Sequence, residues 1–135
     1  MKNNCIVLAD KHQNVLEGLR GLLETTFGCV VMVADQPSLI EALNKIRPQF
    51  AIVDLSLLIH DDLNAVCTLN RHSGVKLIIL SDYDDPDIAA DVLSAGASGI
   101  VLKRCAGTDL LDAVDSISTG KTYISPALKK KETNI

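Results

Sequence analysis

The chain has 135 residues, of which 47% are hydrophobic and 22% are charged. This length and composition favour one packed domain and exclude a disordered chain. The net charge of -4 at pH 7 gives no basic field for a phosphate backbone, so we expect this segment to bind proteins or small ions and not nucleic acid.

The first half of the chain alternates strands with helices. A short apolar run at Cys5 to Ala9 predicts the first strand, and apolar residues at helical spacing from Val15 to Leu23 predict the first helix, which ends near Phe27. A second strand follows at Val30 to Ala34. The second helix starts around Pro37 and stops before Pro48. A third strand is predicted at Phe50 to Leu55.

The second half continues the same alternation. A third helix is predicted from about Leu63 to Arg71 and a fourth strand at Leu77 to Ser81. Asp85 before Pro86 provides an N-cap and first turn for a fourth helix, which Gly96 closes. The fifth strand is predicted at Gly99 to Leu102, and the fifth helix begins at Thr108 and ends near Gly120.

The predicted strands are nearly continuous apolar runs, which is typical of parallel strands that are buried on both faces. Five strand–helix units therefore predict a three-layer α/β/α sandwich of flavodoxin-like order 2-1-3-4-5. We expect one domain over residues 1–125. Residues 126–135, in a polar segment that begins at Ser125, are expected to form a frayed tail or the start of a linker to an absent output domain.

The sequence also bears on the compartment. Met1 to Asn4 is polar, so the chain shows no signal peptide, and no apolar run approaches membrane length. The four cysteines (Cys5, Cys29, Cys67 and Cys105) form neither a CxxC pair nor a zinc-binding spacing. We therefore expect a cytoplasmic protein with reduced thiols in its core.

Four polar residues terminate predicted strands: Asp10, Asp54, Ser81 and Lys103. Taken singly, an aspartate or serine there is more often a turn former or helix cap, and a lysine is usually solvated. Ligands of open parallel sheets, however, bind at the carboxyl ends of the strands. The quartet therefore predicts two carboxylates, a hydroxyl and an ammonium group at one edge of the sheet.

Segments that cover most of the chain resemble the receiver domain of two-component response regulators, in the NarL/FixJ branch whose receivers precede LuxR-type helix-turn-helix domains. The resemblance is carried by residues 7–12 (VLADKH), 17–24 (EGLRGLLE), 50–55, 78–103 and 120–126 (GKTYISP). It implies a signalling module and not an enzyme.

The resemblance also implies a role for each residue of the site. Asp54 is similar to the aspartate that accepts a phosphoryl group from a sensor histidine kinase, Ser81 to the switch hydroxyl and Lys103 to the phosphoryl-binding lysine. A Mg2+ ion would be held by Asp10, Asp54 and the main-chain carbonyl of Ser56. A carboxylate is a competent nucleophile toward phosphorus, and a metal ion and a lysine would neutralise the incoming oxygens.

The resemblance further implies partners beyond the kinase. The output would be a changed surface on the fourth helix, fifth strand and fifth helix, and a homodimer would form through that surface or through the first and fifth helices. DNA would be bound by a C-terminal helix-turn-helix domain that is missing here, so the expected output is regulation of transcription.

The sequence departs from the receiver pattern after the first strand, where Lys11 replaces a second acid. At ~4 Å and an effective dielectric near 20, a unit-charge pair is worth about 4 kcal/mol. We therefore expect reduced Mg2+ affinity. Two alternatives stay open for Lys11: its ammonium reaches Asp54 and stands in for the metal ion, or it points to solvent.

A second departure is the loop after the third strand, which lacks the Pro and Gly of the receiver pattern. His60, Asp61 and Asp62 are more typical of a solvated loop than of a metal site. We expect His12 to be a packed or surface residue and not a base. Ile100 stands where this branch often has an aromatic residue that rotates on activation.

Three other functions compete with phosphoryl transfer. One is a pseudo-receiver that acts as a phosphorylation-independent docking or dimerisation module, as Lys11 would permit. A flavodoxin-like cofactor protein is disfavoured by the 3% aromatic content and by the lack of a phosphate-binding loop after the first strand. An aspartate-nucleophile phosphatase would require an Asp-x-Asp motif there.

Overall fold

A computed structural model describes residues 4–58, 63–70 and 74–128. Within these ranges the strands are β1 Cys5–Ala9, β2 Cys29–Val33, β3 Phe50–Asp54, β4 Lys76–Ser81, β5 Gly99–Leu102 and β6 Tyr123–Ile124. The α-helices are α1 Gln13–Leu23, α2 Gln36–Ile46, α3 Leu63–Asn70, α4 Pro86–Ser94 and α5 Ala106–Ser118. Single 3-10 turns follow β3, β5 and β6 at Leu55–Leu57, Lys103–Cys105 and Pro126–Leu128.

The strands form one sheet of order β2-β1-β3-β4-β5-β6, and all neighbouring strands are parallel. This confirms the predicted α/β sandwich and its order 2-1-3-4-5. The sixth strand was not predicted, because two residues are too few to show an alternating pattern.

Two hydrophobic clusters cover the two faces of the sheet. Alternate residues of each strand point to opposite faces, so Ile6 and Leu8 pack against α1 and α5 while Val7 and Ala9 pack on the other face with α2, α3 and α4. Because both faces are buried, these strands have no polar side in their sequence. Burial of this kind is the main favourable contribution to the stability of the sheet.

Helices α2 and α4 begin with aspartate side-chain caps. The Asp85 side chain caps α4 as predicted, accepting a hydrogen bond from the Asp87 main-chain N–H at 2.9 Å, and Gly96 after that helix has a φ of 113°. Some helix bounds differ from the predicted ones. Helix α1 ends at Leu23 and not near Phe27, and α5 begins at Ala106, two residues before Thr108.

Packed structure continues past the expected start of the tail. Ser125 is fully buried; its Oγ accepts a hydrogen bond from the Leu102 main-chain N–H at 3.1 Å and donates one to the Asp109 carboxylate at 2.9 Å. Leu128 is buried in the cluster beneath α2, α3 and α4. The expectation of fraying from Ser125 is therefore wrong for residues 125–128. Residues 129–135 lie outside the described part of the chain.

The four cysteines are free thiols, but none lies fully in the core: Cys29 is exposed and the others are half-buried. The expectation of core thiols is therefore corrected, since β2 is an edge strand with a less protected surface. Among the described residues, no helix has both the length and the apolar character that a bilayer crossing requires.

Candidate functional site

The four polar residues predicted to converge do lie at one edge of the sheet. Asp54 and Ser81 are the last residues of β3 and β4, while Asp10 and Lys103 directly follow β1 and β5. In the register, Asp54 pairs with Leu80 and Ser81 pairs with Leu102. The parallel topology therefore places these side chains on consecutive strands at their carboxyl ends.

Asp10 and Asp54 are buried carboxylates, with 0% and 1% exposure. Asp10 Oδ1 accepts a hydrogen bond from the His12 main-chain N–H at 2.8 Å. Asp54 Oδ1 accepts one from the Ser56 main-chain N–H at 3.3 Å, and Oδ2 accepts one from the Ser56 hydroxyl at 2.7 Å. Each carboxylate is thus oriented by the residue two positions later, as in an Asx turn.

Lys103 joins the two carboxylates. Its Nζ lies 2.8 Å from Asp10 Oδ2 and 3.1 Å from Asp54 Oδ2, and its side chain is 10% exposed. The Oδ2 atoms of both carboxylates face the same ammonium group. Two carboxylates therefore share one cation.

The surroundings also set the protonation of Lys103. Burial lowers the pKa of its ammonium group, but hydrogen bonding and attraction from Asp10 and Asp54 together outweigh burial. The pKa of Lys103 is consequently raised above its ordinary value, and the group is a cation at neutral pH.

His12 belongs to the site, which the sequence did not predict. Its ring is 60% exposed, and Nδ1 lies 3.0 Å from Asp10 Oδ1 and 3.2 Å from Lys103 Nζ. One tautomer donates to Asp10 and the other accepts from Lys103. Possible ligand atoms of Asp10, His12 and Asp54 lie within 4.8 Å of one another. The position of His12 two residues after Asp10 is a sequence feature from which its place in the site could have been predicted.

The Ser81 hydroxyl is fully buried and engaged with the loop that follows β4. Ser81 Oγ donates a hydrogen bond to the Tyr83 carbonyl at 3.1 Å and accepts one from the Tyr83 main-chain N–H at 3.0 Å. The hydroxyl therefore fixes the path of the chain between β4 and α4.

Lys11 points away from the carboxylates. It is exposed and lines an open groove of about 790 Å³ together with Ala34, Asp35, Gln36, Pro37, Ile40 and Leu57. Lys11 forms no ion pair with any carboxylate of the described ranges. The alternative in which its ammonium stands in for a metal ion at Asp54 is therefore wrong, and the cation at that carboxylate is Lys103.

Ile100, Ser56 and the segment from His60 to Asp62 are the other residues singled out from the sequence. Ile100 is buried in β5. The Ser56 hydroxyl hydrogen-bonds to Asp54, a contact that the sequence did not predict, while the role of its carbonyl as a metal ligand stays a prediction. His60, Asp61 and Asp62 lie outside the described residues.

Residues 6–115 match the family model described as "Response regulator receiver domain". The chain belongs to the response regulator receiver family. Its six-stranded sheet, with the order found in receivers, agrees with this assignment.

Receivers of transcription regulators are among its relatives. The transcriptional regulatory protein DegU of Brevibacillus brevis is 32% identical over 124 residues, which are 90% of this chain and 52% of DegU. The transcriptional regulatory protein RcsB of Salmonella typhi is 32% identical over 136 aligned positions, which cover 96% of this chain and 63% of RcsB. The receiver thus spans between half and two thirds of these relatives.

A solved structure gives the same assignment. The RcsB response regulator of Salmonella typhimurium, studied for its DNA interaction, superimposes with a TM-score of 0.84 at 32% identity. The match covers 95% of this chain and 66% of the RcsB chain.

Proposed function

We propose that this receiver accepts a phosphoryl group on Asp54 from the phosphohistidine of a sensor histidine kinase. The observation that carries the proposal is the contact set of Asp54: a buried carboxylate whose Oδ2 is held by both Lys103 and Ser56 at the ligand-binding edge of the sheet. Oδ1 has only the longer contact at 3.3 Å with the Ser56 N–H. Oδ1 is therefore the less engaged oxygen and the better nucleophile.

The transfer moves one phosphoryl group between two protein side chains. A lone pair of Asp54 Oδ1 forms a bond to phosphorus while the bond from phosphorus to the donor imidazole breaks, and the product is an acyl phosphate. Lys103 lies beside Oδ2, where its ammonium would neutralise part of the charge on the phosphoryl oxygens. His12, whose ring is exposed, contacts both Asp10 and Lys103.

The site fits a Mg2+ ion through the two buried carboxylates. Ligand atoms of Asp10 and Asp54 lie within 4.8 Å of each other, and carboxylate oxygens suit this cation. Asp10, Asp54 and the Ser56 carbonyl would hold the ion. Lys11 occupies the position where a further acidic residue would increase the affinity for Mg2+. When bound, Mg2+ supplies positive charge to the phosphoryl oxygens.

The output of the receiver would be transcription regulation. Two relatives are named as transcriptional regulatory proteins and are longer than this chain. In a full-length protein, a C-terminal helix-turn-helix domain would bind DNA. A homodimer would use the surface of α4, β5 and α5 or that of α1 and α5.

Intact mass after incubation with Mg2+ and acetyl phosphate tests the proposal. We expect the wild-type chain to gain one phosphoryl group, and Asp54→Asn to gain none. Lys11→Asp is expected to gain the phosphoryl group at a Mg2+ concentration at least about tenfold lower than the wild type needs. A tenfold change in affinity corresponds to about 1.4 kcal/mol, which is less than the roughly 4 kcal/mol of one unit-charge pair. Lys11→Ala is the matched control, because it removes the positive charge without adding a ligand.

A pseudo-receiver is the second candidate, and one contact favours it. The Lys103 ammonium already bridges both carboxylates, so the site is partly neutralised without a metal ion or phosphate. The deciding result is a wild-type chain that gains no phosphoryl group at any Mg2+ concentration while Lys11→Asp does gain one. That result would support the pseudo-receiver and overturn the phosphoryl proposal.

A further inference from the structure

Cys5 and Cys29 are direct neighbours in the sheet, at the end opposite the carboxylates. They are the first residues of β1 and β2, and they are paired in the parallel register. Neighbouring strands lie about 4.8 Å apart, and disulfides span Cα separations of about 4.4 to 6.8 Å. Paired residues point to the same face of a sheet. The backbone therefore places the two thiols within bonding reach.

The side chains of this pair are in contact. The Cys5 thiol donates a hydrogen bond to the Cys29 sulfur, which raises the pKa of Cys5, and burial and the negative charge of Cys29 add to the effect. Cys5 is half-buried, whereas Cys29 is exposed on the edge strand β2. Cys29 is thus the more accessible of the two thiols to an external reagent.

We propose that Cys5 and Cys29 form a redox-active dithiol that a low-molecular-weight disulfide, such as oxidised glutathione, converts to an intramolecular disulfide. Its role lies outside the phosphoryl site and does not depend on the proposed function. Exposed disulfides of this kind are readily reduced, and intracellular ones are usually transient or redox-sensing.

The exchange takes place in two balanced steps. The Cys29 thiolate attacks one sulfur of the small disulfide, which forms a mixed disulfide on Cys29 and releases one small thiolate. The Cys5 thiolate then attacks the Cys29 sulfur and releases the second small thiolate. In total the two cysteines lose two electrons and two protons, and the small disulfide takes up both to give two thiols.

The disulfide would link the edge strand β2 to β1 and enclose α1, which runs between them. Such a link constrains the unfolded chain and removes the freedom of β2 to separate from the sheet. Oxidation is therefore expected to raise the thermal unfolding midpoint of the whole chain, and reduction is expected to reverse that shift.

Peptide mapping of the folded chain tests this proposal. After equilibration in glutathione buffers and acid quenching, we expect a species lighter by two hydrogens in which the Cys5 and Cys29 peptides are linked. In Cys5→Ser the reaction is expected to stop at the mixed disulfide, with one glutathione on Cys29. The double variant Cys67→Ser/Cys105→Ser is the control and is expected to form the link at the same glutathione ratio as the wild type.

Unfolding supplies a second readout that does not depend on a substitution. In urea the strands no longer hold the thiols together, so the link is expected to need a glutathione ratio at least about tenfold more oxidising. The proposal is overturned if the wild-type chain stops at the mixed disulfide as Cys5→Ser does, if the link maps to Cys67 or Cys105, or if urea leaves the ratio unchanged.

Discussion

At the scale of single residues, the site is governed by an excess of negative charge. Asp10 and Asp54 are buried, and the cation in contact with both is the Lys103 ammonium. Removal of one member of a buried ion pair is costly, because the remaining charge has lost both water and its partner. Lys103 is thus expected to stabilise the fold, in addition to the phosphoryl-binding role proposed for it.

This role of Lys103 predicts a loss of stability at alkaline pH. The folded-state pKa is raised, so the stabilisation is present below the unfolded value of 10.5 and is lost as the pH rises through the folded-state value. Lys103→Met is expected to lower the free energy of unfolding at pH 7 by about 3 kcal/mol, the low end for a buried pair that loses one partner. It is also expected to remove part of the alkaline decline.

Urea unfolding between pH 7 and 11 measures both effects. Lys45→Met is the matched control, since Lys45 also has a raised pKa, but it pairs with Glu41 on an exposed helix surface. Exposed pairs of this type contribute little, so this variant should follow the wild-type curve. An alkaline decline in Lys103→Met as steep as that of the wild type would contradict the prediction.

The site was predictable at this scale as far as the backbone determines it. Asp10, Asp54, Ser81 and Lys103 converge because parallel strands end at a common edge. The contacts of His12 with Asp10 and of the Ser56 hydroxyl with Asp54 depend on local turns and rotamers, which leave no periodic signal. The direction of Lys11 was undecided for the same reason: its long side chain can reach either way.

At the scale of elements, β5 is packed so closely that its first residue has no room for a side chain. A Cβ at Gly99 would lie 3.0 Å from Ile117 Cδ1 of α5 and 3.2 Å from the Tyr123 carbonyl oxygen of β6. The strand itself was predicted from its apolar run. The requirement for glycine was not, because it arises from β6, whose two residues carry no pattern of their own.

Gly99→Ala is therefore expected to destabilise the fold by about 1–3 kcal/mol, the usual cost of overpacking. The Ile117 side chain can move aside, but the Tyr123 carbonyl belongs to the backbone of the sheet and cannot do so without distorting β6. Urea unfolding monitored by circular dichroism measures the change.

Gly18→Ala is the matched control for this substitution. Gly18 lies in α1 with open space around its Cα, so alanine is expected to stabilise the helix by about 0.5–1 kcal/mol. A Gly99→Ala variant as stable as the wild type would show that β5, β6 and α5 can separate without cost.

At the scale of the whole molecule, the order of the sheet followed from the sequence, since apolar runs, helical periods and right-handed crossovers leave few topologies. The packing of the C-terminal residues could not be predicted from the sequence in the same way. Ser125 and Leu128 come after the last predicted helix, in a segment whose composition is typical of a tail, yet both are buried. Their burial depends on the fifth strand and on α5 being already in place, a long-range condition that local composition does not express.

The Ser81 hydroxyl lies at the same edge of the sheet as Asp54 and is bonded to the loop that follows β4, which leads to a prediction about motion. In this structure Ser81 Oγ holds both the carbonyl and the N–H of Tyr83, whose side chain is 56% exposed. If the Ser81 side chain rotates about χ1 to donate to a phosphoryl oxygen, its Oγ leaves both the carbonyl and the N–H of Tyr83. The loop between β4 and α4 then loses a constraint, although it lies outside the site itself.

Hydrogen exchange of the Tyr83 amide measures that release. Acetyl phosphate with Mg2+ is expected to speed exchange of this amide in the wild-type chain. In Ser81→Ala the amide is expected to exchange fast with or without the phosphoryl donor, because the oxygen that accepts its hydrogen bond is gone. Ser81→Thr keeps the hydroxyl and should behave as the wild type does. Equal exchange rates of this amide in phosphorylated and unphosphorylated wild-type chains would contradict the prediction. They would show that the hydrogen bond from the Tyr83 N–H to Ser81 Oγ survives phosphorylation of Asp54, so that Ser81 does not transmit the signal.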